Sequence, residues 1–274
     1  MAVAAHPGTD EKAVAHAMQL TGGGPAANAA VQVARLGGTA GFCGYLGYDL
    51  FGNAHVDELL AEGVDTSFIV RGTAASAVSQ ILAKSDGSRS VVNFKGGTAC
   101  LAADAVAVSS DPKILLFDGH EPQLSVQLCR WAKEHGVITV LDAGSLHAGT
   151  EHLAGAVNYL VASTKFATQW CDTDDMHRAL NQLAGICDHV VITRGEHGLL
   201  WNRAGECGEM AAFAVKALDS TGAGDAFHGA FALGLARDMA WLELLRFASA
   251  AGALACTKLG ARCGISDAKA LAAL

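Results

Sequence analysis

The sequence predicts an α/β fold of three layers, with a mostly parallel central sheet between helices and a small separate β sheet. Three observations carry this. Short runs of Val, Ile and Leu recur at residues 113–117, 137–141, 158–161 and 189–193, as in parallel strands covered on both faces. Helical stretches at residues 123–135 and 175–187 fall between them. Two β-type runs, residues 78–84 and 88–94, flank Asp86-Gly87, which is a hairpin signal.

The elements follow in order. Residues 12–20 alternate, placing Val14, His16, Met18 and Leu20 on one face of an expected strand. Gly22-Gly23-Gly24-Pro25 then opens a helix of Ala and Val that runs to Leu36. Pro25 suits its first turn and Gly37-Gly38 ends it. Residues 41–46 read as a strand, and residues 49–62 as a helix stopped by Gly63. The hairpin comes next and is expected to share a small sheet with residues 12–20. From residue 113 strands and helices alternate. Asp142-Ala143-Gly144 and Arg194-Gly195 follow strand ends, the edge where open α/β sheets bind ligands. Residues 199–213 suggest a second hairpin, and long helices fill residues 223–258.

Composition bounds the function. The chain has 274 residues, 51% hydrophobic and 17% charged, so it builds a sizeable core. A net charge of −8 argues against nucleic acid and anionic membranes as partners and leaves small molecules. The eight cysteines include no C-x-x-C pair, which argues against a zinc ribbon or redox motif. Scattered single cysteines read as reduced, in a cytoplasmic protein. Residues 13–34 lack charged side chains, but the glycines and Pro25 interrupt them, so no membrane span is expected. The first eight residues show neither the basic region nor the apolar stretch of a signal peptide.

The chemistry gathers at Thr221-Gly222-Ala223-Gly224-Asp225, ahead of an apolar helix at residues 226–236. A helix N-terminus presents unpaired N–H groups, and glycines let a ligand approach them, which makes an anion site. A carboxylate is a poor phosphate ligand, so Asp225 makes sense as a base taking a proton from an attacking hydroxyl. The bland alternative is a helix cap after a Gly-rich turn. No G-x-x-x-x-G-K-[ST] occurs, so this is not a P-loop enzyme. Asn28, one turn into an Ala/Val helix, offers a donor and an acceptor to sugar hydroxyls; alone, a solvated side chain is the simpler reading.

Together, Gly22-Gly23-Gly24-Pro25-Ala26-Ala27-Asn28 with Arg35-Leu36-Gly37-Gly38, and Asp219-Ser220-Thr221-Gly222-Ala223-Gly224-Asp225-Ala226-Phe227-His228-Gly229, resemble the paired signatures of the PfkB/ribokinase family of carbohydrate kinases. Further similarities lie at Gly47-Tyr48-Asp49-Leu50-Phe51-Gly52, at residues 190–198 and at residues 247–253, so the resemblance spans residues 12–274. It implies a ribokinase-like α/β/α core at residues 22–274. A β lid of residues 10–21 and 76–95 would often make the dimer contact. Asp225 would be the catalytic base, and the amides of Gly222, Ala223 and Gly224 the anion hole. Gly23, Gly24 and Asn28 would line the sugar site. Thr193, Gly195, Gly198 and Ser249 would face ATP. Asp219 and Thr221 would help hold a monovalent cation such as K⁺, and Asp142 would serve Mg²⁺ or its water shell.

Two departures stand out. The family opens on a buried strand followed by a sugar-binding aspartate, and the chain as given starts after both. The family's N-x-x-E motif near Mg²⁺ appears as Ser163-Thr164-Lys165-Phe166, without its acid. His120, after Asp118-Gly119 at a strand end, is a further candidate for the substrate. His228 reads as a packed helix residue, and Arg262 as either solvated or over the nucleotide. The segment from Arg246 to Ser266, with His228-Gly229, is similar to the ketose kinases, so a neutral ketose leads. An anionic sugar would need Lys95 or Arg71 in the site. A nucleoside kinase is second, a non-catalytic sugar- or nucleotide-binding relative third, and a dinucleotide oxidoreductase weaker still.

Overall fold

The computed structural model describes residues 1–84, 89–108 and 111–274. In chain order the elements are α1 (Pro25–Arg35), β1 (Gly44–Gly47), α2 (Leu50–Ala61), β2 (Ile69–Gly72), β3 (Val78–Ala83), β4 (Arg89–Phe94), β5 (Ile114–Phe117), α3 (Pro122–His135), β6 (Ile138–Ala143), α4 (Ala148–Leu153), β7 (Tyr159–Ser163), α5 (Thr164–Cys171), α6 (Met176–Leu183), β8 (His189–Thr193), β9 (Leu199–Arg203), β10 (Glu206–Met210), α7 (Ala223–Ala236), α8 (Trp241–Ala255), α9 (Ala261–Gly264) and α10 (Ala268–Ala272).

Six strands form the central sheet in the order β10-β9-β8-β7-β6-β5. β5 to β8 pair in parallel and the β9–β10 hairpin closes one side antiparallel. Alternation along each strand divides its side chains between two cores. Leu141, Leu160, Ala162, Val190 and Ile192 pack with Phe166 and Leu183 under α3 to α6. Val140, Val161 and Val191 pack with Phe227, Phe231 and Leu245 under α7 and α8. Burial on both faces explains why these strands read as continuous apolar runs. A third cluster joins α1 and α2 through Ala27, Val31, Leu59 and Val64. Among the described residues β1 and β2 pair with each other alone, in parallel, and β5 forms an edge of the six-stranded sheet. The three-layer α/β expectation therefore holds.

The small sheet differs from expectation in its membership. β3 and β4 pair antiparallel from Val78↔Phe94 to Ala83↔Arg89, as the hairpin pattern predicts, while the expected Asp86-Gly87 turn lies outside the described residues. Residues 12–20 form no strand. Their single ladder contact is an isolated bridge from Ala17 to Ala2. The segment beside β3 is instead residues 1–3: Val3 N–H donates to the Ala83 carbonyl (2.9 Å) and Ala83 N–H to the Met1 carbonyl (3.0 Å). The alternation at residues 12–20 faces open solvent, with Val14 90% exposed, so it has no packing surface to select a strand.

Candidate active site

The site forms at the C-terminal edge of the parallel strands. β6, β7 and β8 are in register there, Ala143 opposite Ala162 and Ser163 opposite Thr193. α7 starts above this edge. Gly222, its N-cap, has φ +80°, a backbone state that glycine adopts without strain. The N–H groups of Gly222 and Gly224 meet no acceptor among the described residues, whereas Ala223 N–H donates to the Ser220 carbonyl at 3.3 Å. Two of the three expected anion-hole amides are thus unengaged, and the third sits in a long, weak turn bond.

Asp225 lies in the first turn of α7, and Gly229 on the same face one turn later. A Cβ at Gly229 would fall 2.4 Å from the Ala29 carbonyl oxygen, so α7 and α1 cross in close contact. That crossing brings Asn28, 197 residues away, within reach: its Nδ2 donates to Asp225 Oδ2 at 2.6 Å. Asp225 Oδ1 accepts no hydrogen bond among the described residues. Burial raises the Asp225 carboxyl above its ordinary value. The Asn28 bond and the charges of His228 and Arg262 pull it down, and Asp118 pushes it up.

At the loop expected to line the sugar site, added Cβ atoms at Gly23 and Gly24 would meet nothing within 4 Å, so both face open space; Gly24 has φ +90°. Gly22 is fixed from below, its N–H donating to Glu58 Oε2, while Thr21 Oγ1 donates to Glu58 Oε1 at 3.0 Å. Asp118 sits at the end of β5. It accepts from Ala26 N–H (3.3 Å) at the start of α1 and from His120 N–H (2.9 Å). The exposed His120 ring stacks on His147 with centroids 5.2 Å apart. Lys95 follows β4 and is exposed. Arg71 is committed elsewhere: it donates to the Leu46 carbonyl (2.8 Å) and Asn53 Oδ1 (2.6 Å) and lies over the Tyr48 ring.

Of the residues expected to face the nucleotide, Ser249 lies on α8, which packs on α7, and Thr193, Gly195 and Gly198 lie at the end of β8 and in the turn that follows it. Thr193 ends β8, its hydroxyl donating to the Ala162 carbonyl (3.3 Å). Gly195 (φ +58°) and Gly198 (φ +75°) shape the turn into β9, where Arg194 N–H donates to the Gly198 carbonyl (2.7 Å). Ser249 lies half-buried on α8, three residues before Gly252, which packs against the Ala223 carbonyl. Ser163, in the segment lacking the expected acid, caps α5 by accepting from Phe166 N–H (3.0 Å).

The expected metal residues fit a cation poorly. Asp219 Oδ1 already accepts from Thr221 N–H (2.9 Å) and Thr221 Oγ1 (2.6 Å), and Oδ2 from Gly260 N–H (2.8 Å). Those bonds brace the loop before α7 against the start of α9. Asp142 is buried with its Oδ2 3.3 Å from His228 Nδ1. His228, expected only to pack, also places Nδ1 2.6 Å from the Gly224 carbonyl and Nε2 3.3 Å from the Val161 carbonyl. No group of three or more His, Cys, Asp or Glu side chains suited to a metal ion occurs among the described residues. No helix among them is long and apolar enough to cross a membrane.

Burial pushes Asp142 up from its ordinary 3.8 to about 7, against the pull of His228 and with added repulsion from Asp225 and Asp118. The folded state then holds a proton that the unfolded chain has released, so stability falls as pH rises from about 4 through about 7. Asp142→Asn mimics the protonated carboxyl. Its Tm relative to wild type is expected to climb between pH 5 and pH 8 in a thermal melt series. A pH-independent difference would remove this role.

Arg262 departs most from expectation. It is 2% exposed and points toward α1 and α2 rather than over the nucleotide edge. His55 and Glu58 complete this group; a charged residue inside the small-residue run Gly260-Ala261-Arg262-Cys263-Gly264 is the only sequence trace of it.

Comparison with known proteins identifies the family. The family described as pfkB family carbohydrate kinase matches residues 2–268. Ribokinase of Haemophilus influenzae is 27% identical over 259 residues, covering 90% of this chain and 85% of its own. Fructokinase-1 of Zea mays is 30% identical over 269 residues, covering 87% and 83%. The crystal structure of a putative ribokinase from Agrobacterium tumefaciens superimposes with a TM-score of 0.89 at 28% identity, over 99% of this chain and 92% of that one.

Proposed function

Because the chain belongs to the pfkB family of carbohydrate kinases, we propose that it transfers the γ-phosphoryl group of ATP to a hydroxyl of a ketose such as fructose or a derivative. One observation carries the mechanism. Asp225 has one oxygen anchored by Asn28 and the other unbonded, next to the unengaged amides of Gly222 and Gly224. The free oxygen takes the proton of the attacking hydroxyl as the O–P bond forms and the bond to the ADP leaving group breaks. The two amides and the positive end of α7 stabilise charge on the transferring phosphoryl group. The open backbone at Gly23 and Gly24 holds the sugar, with His120 at its rim, while Asn28, buried and bonded to both Asp225 and Arg262, fixes the base beneath it. Thr193, Gly195, Gly198 and Ser249 border the nucleotide. A Mg²⁺ ion, if used, would supply charge neutralisation at the ATP phosphates; among the described residues no group of three or more His, Cys, Asp or Glu side chains suits a metal ion.

The small β3–β4 sheet acts as a lid over the sugar and joins two copies into a dimer. Val92 and Phe94 on β4 are exposed, as are Val14, Met18 and Leu20 in the preceding segment. The test of function is ADP release with ATP, Mg²⁺ and K⁺ over ketoses, aldoses and nucleosides. Ketose-dependent release that disappears in Asp225→Asn supports the reading. Release with nucleosides alone replaces the acceptor, and release with none removes the activity.

A further inference from the structure

We propose that Arg262 is a positioning residue for phosphoryl transfer: its guanidinium clamps the Asn28 carboxamide that holds Asp225, and through Glu58 it ties the Gly22 loop to the same point. The inference rests on the reading of Asp225 as the base.

A guanidinium this buried is stable only where its donors find acceptors. Arg262 Nε donates to Asn28 Oδ1 at 2.7 Å, Nη2 to His55 Nε2 at 3.0 Å, and Nη1 toward Glu58 Oε1 at 3.4 Å. These partners lie on α1 and α2, while Arg262 itself lies on α9. Its backbone is held as well, the Arg262 carbonyl accepting from Arg35 Nη1 at 2.9 Å, and Arg35 pairs with Glu62.

The chemistry fixes the orientation of Asn28. A guanidinium only donates, so the amide turns its oxygen to Arg262 and its NH₂ to Asp225 Oδ2 (2.6 Å). The flipped amide would oppose two donors at one end and two acceptors at the other. Arg262 thereby decides which atom meets the base, and leaves Asp225 Oδ1 free. His55 suits its place: burial, then the Arg262 charge, lowers it to about 4, so its Nε2 lone pair accepts. Glu58 carries the same anchor to Thr21 and Gly22. Lysine would keep the charge but has no counterpart of Nε midway along its stem.

The test compares wild type, Arg262→Lys, Arg262→Met, Asn28→Ala and the Arg262→Met/Asn28→Ala double variant. Arg262→Met is expected to lower kcat about 10- to 100-fold with KM for ATP within about twofold, as misplacement of a reacting group would. Arg262→Lys should not restore it. Because Arg262 acts through Asn28, the double variant should be no slower than Asn28→Ala. Multiplying losses, or a wild-type kcat in Arg262→Met, would overturn the proposal. A second readout needs no activity: the Arg262 Nε–Hε NMR resonance, assigned by its loss in Arg262→Lys. Slow exchange with water in wild type and fast exchange in Asn28→Ala are expected; equal exchange in both rules the clamp out. If no acceptor is phosphorylated, the proposed function fails while the clamp is still decided by this resonance.

Discussion

Asp225→Asn is expected to lower kcat by about 10²–10⁴-fold, the usual contribution of a positioned general base, with KM for sugar and ATP little changed. The substitution keeps size and shape, and the new amide oxygen still accepts from Asn28, so the α1–α7 crossing survives. Only the capacity to take a proton is lost. The pH profile sharpens the test. As the proposed base Asp225 would work ionised, and burial raises its carboxyl above the ordinary value despite Asn28, His228 and Arg262. Wild-type kcat should therefore climb with pH through a limb shifted up from an ordinary aspartate, and the residual rate of the variant should lack that limb. A variant keeping more than about a tenth of the wild-type kcat would place the base elsewhere.

Gly222→Ala is expected to damage both stability and rate. The residue has φ +80°, which costs an L side chain roughly 1–2 kcal/mol. A Cβ there would lie 2.8 Å from Ala261 Cβ and 3.0 Å from its Cα, so α9 must yield as well. A Tm lower by roughly 4–10 °C follows for a loss of about 2–3 kcal/mol. Any displacement moves the Gly222 and Gly224 amides on one side and Arg262, next to Ala261, on the other. A kcat loss of about 10²-fold in protein still folded at the assay temperature is the expected result, matching a mispositioned anion-hole donor. Calorimetry and steady-state kinetics on one preparation separate the two effects. Unchanged kcat at a lowered Tm would confine Gly222 to a structural role.

The architecture was legible where the chain repeats a local rule. Apolar runs marked β5 to β8, Pro25 and Gly37 bounded α1, and the Gly222-Ala223-Gly224 run announced a helix start. β2, only Ile69–Gly72, was too short to show a period and gained its identity by pairing with β1. Residues 12–20 displayed a period without a surface to bury it against. In the site, Asp225 and Asn28 could be singled out from their motifs. Their mutual bond could not, since it depends on Gly229 allowing two helices to touch. Arg262 and the Asp142–His228 contact were hidden for the same reason: side chains of such charge state their purpose only through partners distant in sequence.

The clamp around Asn28 also sets a clock on the maturation of the protein. Asn28 and Arg262 are separated by 234 residues. At about 5–20 residues per second of synthesis, roughly 10–50 s pass between the emergence of one and of the other. During that interval the helix bearing Asn28 lacks its final anchor, and the amide is free to rotate. The α/β layers can condense earlier from contacts nearer in sequence, whereas this last closure is among the most non-local steps the chain makes. On the proposed roles of Asp225 and Arg262, a nascent chain would be largely folded yet chemically silent until the C-terminal segment docks.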